Sequence, residues 1–390
     1  MSTPFGFGMD PESLRDAPLF RELQRVMASG GGDPVNWELA RQVGVASAAE
    51  AGADPEPTDA DRAALQDAVR VAELHVARTT GMDPPAAVAR VTPLRRAEWV
   101  ADAASGLRGL IEPAAVRMTE ALGGAFAEQL PPEAAPMASM LSQLGPLVHG
   151  SQVGQVLGAQ AGSALGGYEV ALPRVDPAVL AFVPANLASL QKDWSLDAAE
   201  LRTWVAVHEV SHRLSLSGAW ARGSVSGLVD DFLATITIDV AAITERLAAL
   251  QPGDAEGLEQ ALGGEGDGLF GTVLDDEQRI KLARIQAFVG AAEGWADHVT
   301  EVVGRTLLGS HERIEEAMRR RGEAQDAEPI FTRLLGIPLD RATFATGRRF
   351  CDAVAERTDE ATLAQMWASA EAMPSFPELE EPTLWLSRTV

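Results

Sequence analysis

The first residues with a recognisable chemical pattern are His208-Glu209-Val210-Ser211-His212. Histidines at i and i+4 of a helix lie one turn apart on one face, so both imidazoles can reach a single metal ion. The Glu beside the first His then sits where it can take a proton from a metal-activated water. The flanking residues agree with a helix: Leu201, Trp204, Val205, His208 and His212 form one stripe, which turns the histidines inward. Two histidines that merely share a face are the bland alternative. A third ligand decides between the two.

A longer pattern, with a Gly and a third His shortly after the second His, is absent: Ser215 and Gly218 hold those places. The other solution is a Glu from a second helix. Leu282, Ile285, Val289, Glu293 and Asp297 form such a stripe. An acid pair on an otherwise apolar face is costly unless something compensates it. A metal held by Glu293, with Asp297 orienting a ligand His through its remote N–H, would do so. His208, His212 and Glu293 leave one coordination position open, as a catalytic site requires, and Zn2+ is the first choice for this donor set. Two His and a carboxylate also suit other divalent ions. Structural zinc sites favour several thiolates, and the chain has only Cys351.

Around this set the assignments are looser. His298 points about 100° from Asp297 on a helix and is a candidate contact to substrate or to an oxyanion. Arg213 is a candidate for a substrate carboxylate. Glu301 lies one turn beyond Asp297 and either extends the network or is exposed. His75, His149 and His311 have no motif around them and read as structural or surface residues. Tyr168, the only Tyr, could donate to an oxyanion, but nothing in the sequence aims it at the site.

The elements that must position these residues read as mostly helical. Ala, Leu and Val dominate the hydrophobic residues and aromatics are 5%, which favours helix over strand. Helices are expected from about Asn36, over 59–79, over 93–110 and 112–129 with a break at Pro113, from Ser195 to Gly218, and over 225–250 and 275–308. Pro131, Pro132 and Pro136 close the first helical section, and two or three more helices follow 308. Strands are expected at Tyr168–Leu172 and Val179–Val183, between Gly and Pro punctuation. Gly154, Gly158, Gly162 and Gly166 recur every four residues and predict a stripe where another backbone packs closely. The fold class is therefore mainly α, with a small β element before the metal-motif helix. Its divisions are a flexible segment 1–35, a helical region 36–150, a metal-binding core 151–310 and a helical region 311–390, read as one compact unit.

Hydrophobic residues at 46% and charged residues at 23% are the balance of a soluble globular protein. The net charge of −24 argues against nucleic acid and against an anionic membrane surface. The N-terminus has no basic region followed by an apolar core, and no run approaches the roughly 18 apolar residues of a spanning helix. A cytoplasmic location is the expectation, and the oligomeric state is left open.

Several of these segments together resemble a known family. Pro4-Phe5-Gly6-Phe7-Gly8, Pro34-Val35-Asn36-Trp37-Glu38-Leu39-Ala40, Gly154-Gln155-Val156-Leu157-Gly158, Trp204 to His212, and Glu293-Gly294-Trp295-Ala296-Asp297-His298-Val299 carry the likeness. The family is that of the zincin-like, zinc-dependent metalloproteases widespread in actinobacteria, some members of which are labelled as associated with coenzyme F420 biosynthesis. Trp295 and His298 depart from its more usual pattern. The resemblance implies a mainly helical zincin-like fold, with His208, His212 and Glu293 as ligands and Glu209 as base. Three functions follow: a zinc peptidase acting on peptides, a zinc hydrolase of a small amide or ester, and a non-catalytic helical binding protein that keeps a metal site. An unligated Glu beside the metal argues against the third.

Overall fold

The computed structural model describes residues 33–129, 135–169, 172–235, 274–324, 330–339 and 341–389. Asn36 accepts the Leu39 N–H and starts α1 (Trp37–Ala49). A reciprocal pair of Thr58 and Asp61 bonds starts α2 (Asp59–Thr80), and Gly81 ends it at φ 68°. β1 (Arg90–Pro93) follows, then α3 (Arg96–Gln129) and α4 (Ala135–Ala161). β2 (Val179–Phe182) precedes α5 (Pro184–Trp194) and the metal-motif helix α6 (Ala198–Leu216). After α7 (Ala219–Leu233) comes the second ligand-bearing helix, α8 (Asp276–Leu307). The remainder is α9 (His311–Ala324), α10 (Ile330–Leu335), α11 (Arg341–Arg357), α12 (Glu360–Ala364), α13 (Phe376–Glu380) and α14 (Pro382–Thr389).

The mainly helical class with one small β element is what the sequence predicts. Three details differ. Pro113 lies inside one continuous α3 instead of separating two helices. The lost backbone bond is offset by tertiary burial on either side, through Leu110, Ile111, Ala114 and Ala115. The partner of β2 is β1, paired parallel with Arg90 opposite Val179 and Pro93 opposite Phe182, and not the segment at Tyr168. Tyr168 and Glu169 stand outside any strand, 170–171 lie outside the described residues, and only Gly166 bridges Phe182. Finally, Asp197 caps α6, accepting from Ala199 and Glu200, while Ser195 ends α5 at φ 49°. The expected helix over 225–250 is seen as far as Leu233. Residues 1–32, most of the segment expected to be flexible, and residues 236–273, where the rest of the expected helix falls, lie outside the described residues.

One hydrophobic cluster runs from Val35 to Trp385. Within it α1 packs on α4, α6 packs on both α2 and α8, and α8 packs on α11. The glycine stripe makes the first of these contacts. A Cβ at Gly150, Gly154 or Gly158 would come within 2.5, 2.5 and 2.6 Å of the Asn36, Ala40 and Gly44 carbonyl oxygens. No helix among the described residues is long and apolar enough to cross a membrane.

Candidate metal centre

α6 and α8 bring three side chains to one point. His212 Nε2 is 3.3 Å from Glu293 Oε2, and His208 Nε2 is 3.8 Å from Glu293 Oε1. One donor atom from each lies within 4.8 Å of the others. His212 is fully buried, and neither ring nitrogen has a hydrogen-bond partner. An imidazole with no bonding partner in the interior, facing a carboxylate and a second imidazole, fits a cation between them. The side chains of His208, Glu293 and Asp297 are 17%, 25% and 39% exposed, so the group opens to solvent on the Asp297 side.

Asp297 stands somewhere other than expected. Its Oδ1 is 3.6 Å from His208 Nε2, the same nitrogen that faces Glu293, and not beside the remote nitrogen. Burial pushes His208 down, but the neighbouring carboxylates of Asp297 and Glu293 outweigh that and lift it to about 9. Burial holds His212 low. Glu293 is pushed up by burial, yet the adjacent imidazole of His212, with that of His208, brings it below the usual carboxylate range. A metal at this point competes with a proton for the His208 lone pair.

Both imidazoles are clamped by aromatic rings. Trp204 stacks on His208 with centroids 5.7 Å apart and planes 9° apart. Tyr168 stacks on His212 at 5.5 Å and 13°. The hydroxyl of Tyr168 is buried without a partner, and burial pushes its pKa up. Trp295 donates to the Ser211 carbonyl at 3.3 Å, tying α8 to α6 between the two histidines. Tyr168 is the site residue that sequence reasoning could not place, because its contact with His212 spans a turn, a strand and a helix.

Glu209 is 3% exposed and is held by backbone. It accepts the Gly167 N–H at 2.8 Å and the Tyr168 N–H at 3.2 Å. Gly166 makes this approach possible, since a Cβ there would lie 2.2 Å from the Glu209 carboxylate. Gly162 and Gly166 lie beyond the end of α4 at Ala161, so the helical stripe expected over 154–166 stops short of them, and Gly166 serves the metal motif from a loop. Arg174 braces the loop, donating to the Gly167 carbonyl at 3.0 Å and to Asp102 at 2.7 Å. Burial raises Glu209, His208 and the Gly167 N–H pull part of the way back, and the result is about 7.

The spacing of α8 is fixed by glycine as well. A Cβ at Gly294 would lie 2.2 Å from the Gly347 carbonyl carbon, and one at Gly347 would lie 1.8 Å from the Gly290 carbonyl oxygen. α8 and α11 thus meet backbone to backbone beside Glu293.

Two expected contacts are not brought to the centre. Arg213 is 2% exposed and donates to the Pro177 carbonyl at 2.8 Å, to Glu73 at 2.8 Å and to the Ala87 carbonyl. All of its reach is taken up inside the fold. His298 is held between Asp352, 2.6 Å from Nδ1, and Glu360, 3.0 Å from Nε2. Burial pushes it down, but the two carboxylates outweigh burial and lift it to about 8. His149 is buried, and burial lowers it to about 4.

Residues 35–386 match the model of the zincin-like metallopeptidase family, nearly the whole chain, and the chain belongs to that family of hydrolases. Its fold is similar to the crystal structure of a protein from Chloroflexus aurantiacus described as a candidate hydrolase with a novel fold. The TM-score is 0.62 at 24% identity, covering 91% of this chain and 98% of that one. No curated protein matches the chain.

Proposed function

We propose that the chain is a zinc-dependent peptidase in which His208, His212 and Glu293 hold the ion and Glu209 is the general base. The convergence of three donor atoms within 4.8 Å, around a buried His212 with no other partner, carries this reading. A zinc ion bound there supplies Lewis-acid polarisation of a carbonyl and makes a neighbouring water more acidic. The rest falls to the chain. Trp204 and Tyr168 fix the planes of the two imidazoles, so their lone pairs need not reorganise. The Gly167 and Tyr168 N–H groups hold the Glu209 carboxylate in one place. Burial raises the proton affinity of the Glu209 carboxylate, the direction that favours taking a proton from water and passing it to a leaving amine.

An opening at Asp297, on the surface side of the group, suits an extended chain passing by. A small metabolite is better matched by an enclosed cavity. The exposed edge at Asp297 is the observation that favours a peptide over a small amide or ester. The test is a screen of unstructured proteins and peptides beside small amides, with wild type and Glu209→Gln. Peptide cleavage that Glu209→Gln lowers at least about 100-fold is the expected result. Cleavage of small amides alone would replace the peptidase reading with the smaller-substrate one.

A further inference from the structure

A second group of metal-ligating side chains lies outside the centre just described. Glu301, on the same helix as Glu293 and Asp297, is joined there by His311 and Glu315 from α9. One donor atom of each lies within 4.8 Å of the others. His311 Nε2 is 3.1 Å from Glu301 Oε2, and the imidazole is 5% exposed. Its other nitrogen lies against Gly304, where a Cβ would be 2.5 Å away, and has no hydrogen-bond partner.

Two carboxylates converge on one imidazole. The one guanidinium paired with Glu301 is Arg305, 74% exposed and on the carboxylate's other oxygen. Glu315 accepts the Trp204 N–H at 2.7 Å and, among the described residues, has no Lys or Arg partner. Burial pushes Glu315 up, and the nearby carboxylate of Glu301 pushes in the same direction. Carboxylates side by side at such a position are relieved by a shared proton or by a cation, and His311 supplies a third donor for a cation.

We infer that Glu301, His311 and Glu315 form a second divalent-cation site. One imidazole and two carboxylates suit Zn2+ or Mn2+, with further positions open to water. Trp204 joins the two sites, stacking on His208 and donating to Glu315. Glu293, Asp297 and Glu301 then form a carboxylate ladder along one face of α8, at one-turn spacing. The second site stands on its own residues and does not depend on the first being catalytic.

Zinc stoichiometry tests it. The full chain is equilibrated with Zn2+ and measured beside Glu293→Ala, His311→Asn and Glu315→Gln. Glu315→Gln keeps an acceptor for Trp204, so it remains informative if His311→Asn fails to fold. Two ions in wild type and one in each variant is the expected result. One ion in wild type, kept in His311→Asn and Glu315→Gln and lost in Glu293→Ala, would overturn the second site and leave the first standing. One ion kept in Glu293→Ala and lost in Glu315→Gln would overturn the first and support the second.

Discussion

At the scale of single residues, the position of Asp297 decides more than its presence. A carboxylate beside the remote nitrogen of a ligand His acts only by orienting it. Asp297 instead faces His208 Nε2 at 3.6 Å, next to the point where a metal would sit. It is also the most exposed member of the group, at 39%. Removing a carboxylate that stands behind the ligands without itself binding the ion weakens metal binding by roughly 10- to 100-fold. Asp297→Ala is therefore expected to lower zinc affinity by that factor while still binding one equivalent at the centre, measured by competition with a chromogenic chelator. A loss as complete as that of Glu293→Ala would make Asp297 a ligand in its own right. The three converging donors were legible because helical spacing is local: an i, i+4 pair and an acid stripe can be read without knowing what packs against them. The use of Arg213 was not, since its partners Glu73, Ala87 and Pro177 lie 140, 126 and 36 residues away.

At the scale of elements, the placement of Glu293 rests on two helices that touch through glycine. Gly294 stands at the contact with Gly347 of α11, where no side chain fits. Gly294→Ala forces α8 and α11 apart beside the ligand, and overpacking of this sort costs about 1–3 kcal/mol. Urea denaturation is expected to show that loss, together with weaker zinc binding. Unchanged stability would mean that the two backbones are not held at this spacing. The elements themselves were largely visible in the sequence. Periodicity located α2, α6 and α8, and the run at Val179 marked β2. β1 was not visible, because Arg90-Val91-Thr92-Pro93 is too short to show alternation and its partner lies 89 residues on. The Ser195 cap failed because a second candidate two residues later, Asp197, reaches the free N–H groups of the first turn.

At the scale of the whole molecule, His298 ties three elements together: it sits on α8 and bonds to Asp352 of α11 and Glu360 of α12. Its pKa of about 8 lies above the 6.5 of an unfolded His, so the folded state holds its proton more tightly. That stabilisation is fully present below about pH 6.5 and is lost as pH rises through 8. It amounts to at most about 2 kcal/mol, and less in practice because Asp352 is half exposed and screened. The stability gap between wild type and His298→Gln is expected to shrink between pH 6 and pH 9 in matched urea titrations. A gap that does not change with pH would remove the charged clasp. Sequence alone could not find it, because its two carboxylates are brought in from 54 and 62 residues away. Zinc content of the centre between α6 and α8 tests the proposed metal ligands most directly. Wild type and Glu209→Gln are predicted to hold zinc there and Glu293→Ala to lose it, with activity absent from both variants. Zinc kept in Glu293→Ala at the wild-type stoichiometry would contradict the account.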